Sequence, residues 1–184
     1  MIVVADTGPV NYLVLSGQIE LAHDLYGTLL IPPAVHRELL HPCAPTAVRQ
    51  WATAPPAWTE VRSPKDASRF TELGPGEREA ISLALEAKAD FLLIDESPGR
   101  KTAVQNGVAV KGKLGVLEEA DVRHLVDFPQ ALGKLRATTL FLSEEVVQDA
   151  LSRYRARRRE QPRGLQPGPE HTTTEPNGDP RKEI

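Results

Sequence analysis

One cysteine, Cys43, is all this chain contains, so an internal disulfide framework is excluded and a reducing compartment suits it. Cys43 sits between Pro42 and Ala44 in a turn-like stretch and is a poor nucleophile. No apolar run approaches the length of a membrane span, so no membrane contact is expected. No positive stretch precedes an apolar core at the N-terminus, so no signal peptide is expected either. Neither sign of charge dominates: 22 Lys and Arg face 25 Asp and Glu, a formal net charge of −3. Bulk attraction to a polyanion is thereby excluded, although a local basic patch would suffice for nucleic-acid backbone contacts. There is no internal repeat, and the spacing of His36, His41 and Cys43 fits no structural zinc site. These features describe a cytoplasmic protein.

What is present is a pair of short apolar runs that each end in an acid. Ile2-Val3-Val4-Ala5 runs into Asp6, and Phe91-Leu92-Leu93-Ile94 runs into Asp95. Runs this short, bounded by turn signals, read as buried strands of a parallel sheet. A helix start follows each: Thr7-Gly8-Pro9 after the first, Ser97-Pro98 after the second. Both carboxylates then lie at the carboxyl ends of strands, where open α/β sheets place their sites. A carboxylate there is costly to desolvate unless something pairs with it, and clustered acids are commonly paired by a divalent metal.

Strands and helices alternate along most of the chain. Strands are expected at 2–6, 28–31, 58–62, 91–95 and 108–110. Helices are expected at 9–16 with Thr7 as cap, 18–26, from Pro32-Pro33 through Leu39, 44–52, 76–88, 98–105, 113–123 and 128–135. A last helix starts at Ser143 and carries Glu144 and Glu145 in its first turn. Residues 63–75 read as a loop, and Trp51 and Trp58 as packing residues around Pro55-Pro56. The alternation predicts one three-layer α/β/α sandwich with a mainly parallel central sheet over residues 1–154. Residues 155–184 turn basic and then rich in Pro, Gly and Thr, too poor in apolar groups to offset ordering entropy, and are expected to be a disordered tail.

Two more acids fall where a metal site would need them. Glu38 lies at the edge of the stripe set by Val35 and Leu39, and Glu77 in the first turn of the strongest helix. Glu77 and Glu79 also suit a helix start for dipole reasons alone. Together these stretches resemble the PIN-domain ribonucleases. Asp6-Thr7-Gly8-Pro9 with Asn11-Tyr12-Leu13 is similar to the family's opening motif, and Ile31-Pro32 with Val35 and Glu38-Leu39 to its second. Gly76-Glu77-Arg78-Glu79-Ala80-Ile81 resembles the third and Leu93-Ile94-Asp95-Glu96 the fourth. Gly99-Arg100 with Ala103, then Gly107, Gly112 and Leu114-Gly115-Val116-Leu117, resemble one bacterial branch. That branch was first catalogued as a domain of unknown function and is regarded as containing VapC-like toxins.

The resemblance implies metal-binding and catalytic roles for Asp6, Glu38, Glu77 and Asp95, with Glu79, Glu96 and Thr7 as secondary candidates. It implies one or two Mg²⁺ or Mn²⁺ ions, an RNA substrate, a cognate antitoxin protein and a homodimer. The activity implied is endoribonuclease, with in-line phosphodiester hydrolysis leaving a 5′-phosphate. Arg100, Lys101, Lys111 and Lys113 are the expected contacts to the RNA backbone. Lys113 stands where the branch has Thr. Four converging acids repel one another, so without metal the site should loosen or hold a proton.

A PIN-fold module that binds RNA or protein with little turnover is the alternative. A phosphoryl-accepting receiver would want an acidic pair at the end of strand one, and a haloacid-dehalogenase-like phosphatase a second Asp where Gly8 stands. The composition break generates a test of its own. Truncation after Arg159 should leave the melting temperature within about two degrees in a thermal melt, because little apolar area is removed.

Overall fold

The computed structural model describes residues 1–160. Five parallel strands form one sheet in the order β3-β2-β1-β4-β5: β1 Val3–Ala5, β2 Leu29–Ile31, β3 Thr59–Val61, β4 Phe91–Leu93 and β5 Val110–Lys111. Val3 registers with Leu29 on one side and Phe91 on the other, so β1 is the central strand. β1, β2 and β4 are buried on both faces, which is why their sequences are unbroken apolar runs.

Side chains alternate between two cores, as strand geometry requires. Val3, Ala5, Leu29, Ile31, Phe91 and Leu93 face one core, completed by helices α1 Thr7–Leu15, α2 Glu20–Tyr26, α7 Lys113–Val122, α8 Phe128–Arg136 and α9 Glu144–Glu160. Val4, Leu30, Leu92 and Ile94 face the other, against α5 Pro75–Glu86 and α6 Ser97–Gln105. Helices α3 Pro33–Leu39 and α4 Thr46–Thr53 follow β2, and α3 packs against α5. Trp51 and Trp58 are half-buried, 6.3 Å apart between ring centres, and pack on the first core as expected. The chain leaves β1 for β2 and β3, then returns to β4 and β5 on the other side. The reversal falls between β1 and β4, where Asp6 and Asp95 emerge.

Three elements differ from expectation, the first being β5, which spans Val110–Lys111 where 108–110 was expected. Helix α1 starts at Thr7, and Asp6, with extended backbone, is its N-cap residue. The Thr7 side chain is used elsewhere, as described below. Helix α9 does not stop at Tyr154 but continues through the basic stretch to Glu160. Its docking explains this: Val147 and Ala150 are fully buried, and Arg153 and Arg157 both reach Glu118 of α7, at 2.7 and 3.4 Å. Arginines in a last turn also suit the helix dipole. The remainder of the expected tail, 161–184, lies outside the described residues.

Phe128 at the start of α8 is completely buried and stacks on Tyr154 of α9 with ring centres 5.8 Å apart. Phe128→Ala should therefore destabilise the domain by about 3–5 kcal/mol in urea unfolding, through lost transfer energy and the cavity left behind.

Candidate active site

Asp6 is fixed by the sheet before it is fixed by anything else. Its amide donates to the Leu93 carbonyl at 2.9 Å, so the backbone there is still in register with β4. Its side chain is buried. A cleft of about 270 Å³ opens beside it, lined by Asp6, Thr7, Gly8, Asn11, Glu38, Gly74, Gly76, Glu77 and Glu96. Four carboxylates from four separate stretches of chain thus share one cleft at the strand ends.

Each acid is held differently. The Thr7 hydroxyl donates to Glu38 Oε2, and the Gly76 amide donates to Glu38 Oε1 at 3.0 Å. A Cβ on Gly76 would stand 2.6 Å from Glu38 Oε2, so a larger residue there would push the Glu38 carboxylate out of this position. Glu77 reaches back to the Gly74 amide at 3.3 Å, the outer half of a capping box at the start of α5. Its other oxygen, Oε1, is buried with no hydrogen-bond partner. The Gly99 amide lies close enough to favour the Glu77 carboxylate electrostatically without being aligned to satisfy Oε1. Glu96, the N-cap residue of α6, is exposed at the rim.

Like charges in a desolvated place hold protons. Burial pushes the Asp6 carboxyl up to about 7, with Glu38, Glu77 and Glu96 adding to the rise and the Thr7 amide opposing it. Burial also raises Glu77, helped by Glu96 and Glu38 and opposed by the Gly74 and Gly99 amides.

Asp95 is placed apart from these four. Its Oδ1 accepts from the Lys113 amide at 3.2 Å, and its Oδ2 lies 3.0 Å from Lys113 Nζ, close enough for an ion pair though not aligned as a hydrogen bond. It lines a neighbouring, more basic cleft with Arg100, Lys111 and Arg153. Asp95 nevertheless abuts the acidic cleft, since a Cβ on Gly8 would meet its Oδ2 at 3.8 Å. Glu79 faces elsewhere: it accepts from the Ala34 amide at 2.8 Å, at the start of α3, and lies 3.6 Å from Arg37. It serves helix packing and does not line the cleft.

The expected RNA contacts also divide. Lys113 is buried against Asp95, with Nζ 5.1 Å from the centre of the Tyr12 ring. Lys111 pairs with Glu119 and lies over Phe91, 4.1 Å from the ring centre. Both charges are consumed inside the domain, because a lysine in apolar surroundings needs a partner. Arg100 is half-buried and donates to the Ile94 carbonyl at 2.6 Å, whereas Lys101 is exposed on α6. Asn11 was not singled out by the sequence as a lining residue. The available signal was its spacing of four from Thr7 on one helix, which puts both on the same face.

Among the described residues, no three His, Cys, Asp or Glu side chains stand close enough to hold a metal ion as they are arranged. The donor chemistry does fit a hard divalent cation. The cleft offers carboxylate, hydroxyl and amide oxygens, and Glu77 Oε1 is a buried oxygen lacking a partner.

A parallel sheet with carboxylates gathered at its reversal point is the layout of an α/β enzyme. A family model described as a PIN domain matches residues 2–156, and the chain belongs to the PIN domain family. Proteins of this family are in general nucleases that use divalent metal ions. No curated protein and no solved structure matches the chain.

The raised Asp6 pKa predicts how stability changes with pH. An acid whose folded pKa lies above its unfolded value binds its proton more tightly when folded. Its contribution is complete below the ordinary carboxyl value of 3.8 and is lost as pH rises from there through about 7. In EDTA, the melting temperature of Asp6→Asn should rise relative to wild type between about pH 4 and pH 7 and level off above, leaving the variant the more stable at the upper end. Thermal melts of the two proteins across that range check this, and a constant difference would remove Asp6 as the titrating group.

Proposed function

We propose that this PIN domain is a metal-dependent endoribonuclease that hydrolyses RNA phosphodiester bonds, and that it is the toxin of a type II toxin–antitoxin pair. The observation that carries the nuclease reading is the acidic cleft at the sheet reversal, with Asp6 so desolvated that its pKa is pushed up to about 7. Asp6, Glu38 and Glu77 would hold Mg²⁺ or Mn²⁺ with Glu96 at the rim, and Asp95, beyond Gly8, would join them only once freed from Lys113. The bound ion would offset the phosphodiester charge and make a water acidic enough to attack at neutral pH.

The chain's own residues do the rest. Thr7 and the Gly76 amide fix the Glu38 carboxylate, so it is presented in one orientation. Asp6 would have to lose its proton to serve as a ligand, so uptake of an ion would be coupled to proton release. Asn11 places an amide at the cleft wall where a backbone oxygen of RNA can be bound. Lys101, exposed on α6, is available to a neighbouring phosphate, and Arg100 joins it if it leaves the Ile94 carbonyl. The toxin assignment, the antitoxin partner and a homodimer rest on the bacterial-branch motif running from Gly99-Arg100 to Leu117.

One observation favours the alternative, a PIN-fold module that binds RNA or protein with little turnover. The acids do not close around one point, and Asp95 is held by Lys113. Activity separates the two readings. The purified protein should cut single-stranded RNA with Mg²⁺ or Mn²⁺ and stop in EDTA. Asp6→Asn and Glu77→Gln should each lose about a hundredfold or more, since the ion they hold stabilises transition-state charge by several kcal/mol. Glu79→Gln should lose much less. In a bacterial host the wild type should slow growth and Asp6→Asn should not. Undiminished cleavage by Asp6→Asn, with contaminating nuclease excluded, would overturn the assignment.

A further inference from the structure

The carboxylate of Asp95 is gripped from two directions by one residue. The Lys113 amide, at the first position of α7, donates to Oδ1, and the Lys113 ammonium lies 3.0 Å from Oδ2. The lysine is 8 % exposed and its charge faces the Tyr12 ring. Gly112 closes the cradle: a Cβ there would stand 2.6 Å from Asp95 Oδ1 and 3.4 Å from Arg100 Nη1. The helix start and the ammonium together supply what a cation would supply to this acid. Meanwhile the four acids of the neighbouring cleft have no lysine or arginine within ion-pair distance among the described residues.

We propose that Lys113 is a resident counter-ion for Asp95, competing with a divalent cation for that carboxylate and so weakening the chain's uptake of the ion. This rests on the reading of the acidic cleft as a cation site. A divalent ion that recruits Asp95 must first displace the ammonium, which then loses its partner in a buried place. Lys113 is thus a positioning residue: it acts on the ion through Asp95 and touches no reacting atom.

The test is Mn²⁺ affinity, measured by calorimetry on the full chain without RNA. Lys113→Met, close in shape but uncharged, should bind Mn²⁺ at least about tenfold more tightly than wild type, because affinity follows the charge count of the ligand set. Lys113→Arg, which keeps the charge, should stay within roughly threefold of wild type. Asp95→Asn should change affinity little in the wild-type background and abolish the gain in the Lys113→Met background, a coupling that a merely structural lysine would not produce. Should Lys113→Met fail to fold, Lys113→Gln replaces it, and Asp95→Asn alone still decides: a tenfold or greater loss would show that Asp95 already serves the ion. Equal affinity in Lys113→Met and wild type overturns the proposal and leaves the cation site standing. Absence of Mn²⁺ binding in every folded protein overturns the cation site, and the proposal with it.

Discussion

A carboxylate that cannot leave a desolvated position is the constraint on which the rest depends. Asp6 follows the central strand directly, and its amide is tied to β4 by the same ladder that pairs β1 with its neighbour. That register holds the side chain in a buried place at the wall of the cleft. Charge must therefore be managed in place. The protein does so by protonation, which is why burial raises this carboxyl so far, and a cation would do so without a proton.

Those groups are presented by rigid elements. Glu38 is carried by α3, and its two oxygens are taken by a hydroxyl from α1 and an amide from α5. Three helices are thereby registered against one carboxylate. Glu77 doubles as part of the cap of α5, so folding of that helix and placement of the acid are one event. The cost is visible in Glu77 Oε1, buried and unpaired, a group of the kind that native proteins seldom leave without a role.

The basic residues are distributed just as economically. Of the 22 Lys and Arg, several are committed internally. Lys111 supports Glu119, Lys113 supports Asp95, and Arg153 with Arg157 pins α9 to α7 through Glu118. A lysine in the sequence looks the same whether it neutralises a buried acid or greets a phosphate. Only its surroundings distinguish the two, and here they divide Lys101 from Lys111 and Lys113.

The strands, their parallel pairing and the emergence of Asp6 and Asp95 at strand ends are legible in the residues alone. Local physics suffices for these: short apolar runs are buried on both faces, and Pro or Gly punctuates the turns that follow. The sequence also marked Glu38 and Glu77 through their places on helices. Tertiary structure alone decided which acids share a cleft. Glu79 is two residues from Glu77, yet the helix turns it toward the Ala34 amide. Asp95 is one residue from Glu96, yet α7 and Lys113 draw it aside while Glu96 stays at the rim. Tertiary structure also carried α9 past Tyr154, because Glu118 waits on a helix that precedes it by more than twenty residues. Side-chain direction and long-range pairing are set by packing, and no local pattern contains them.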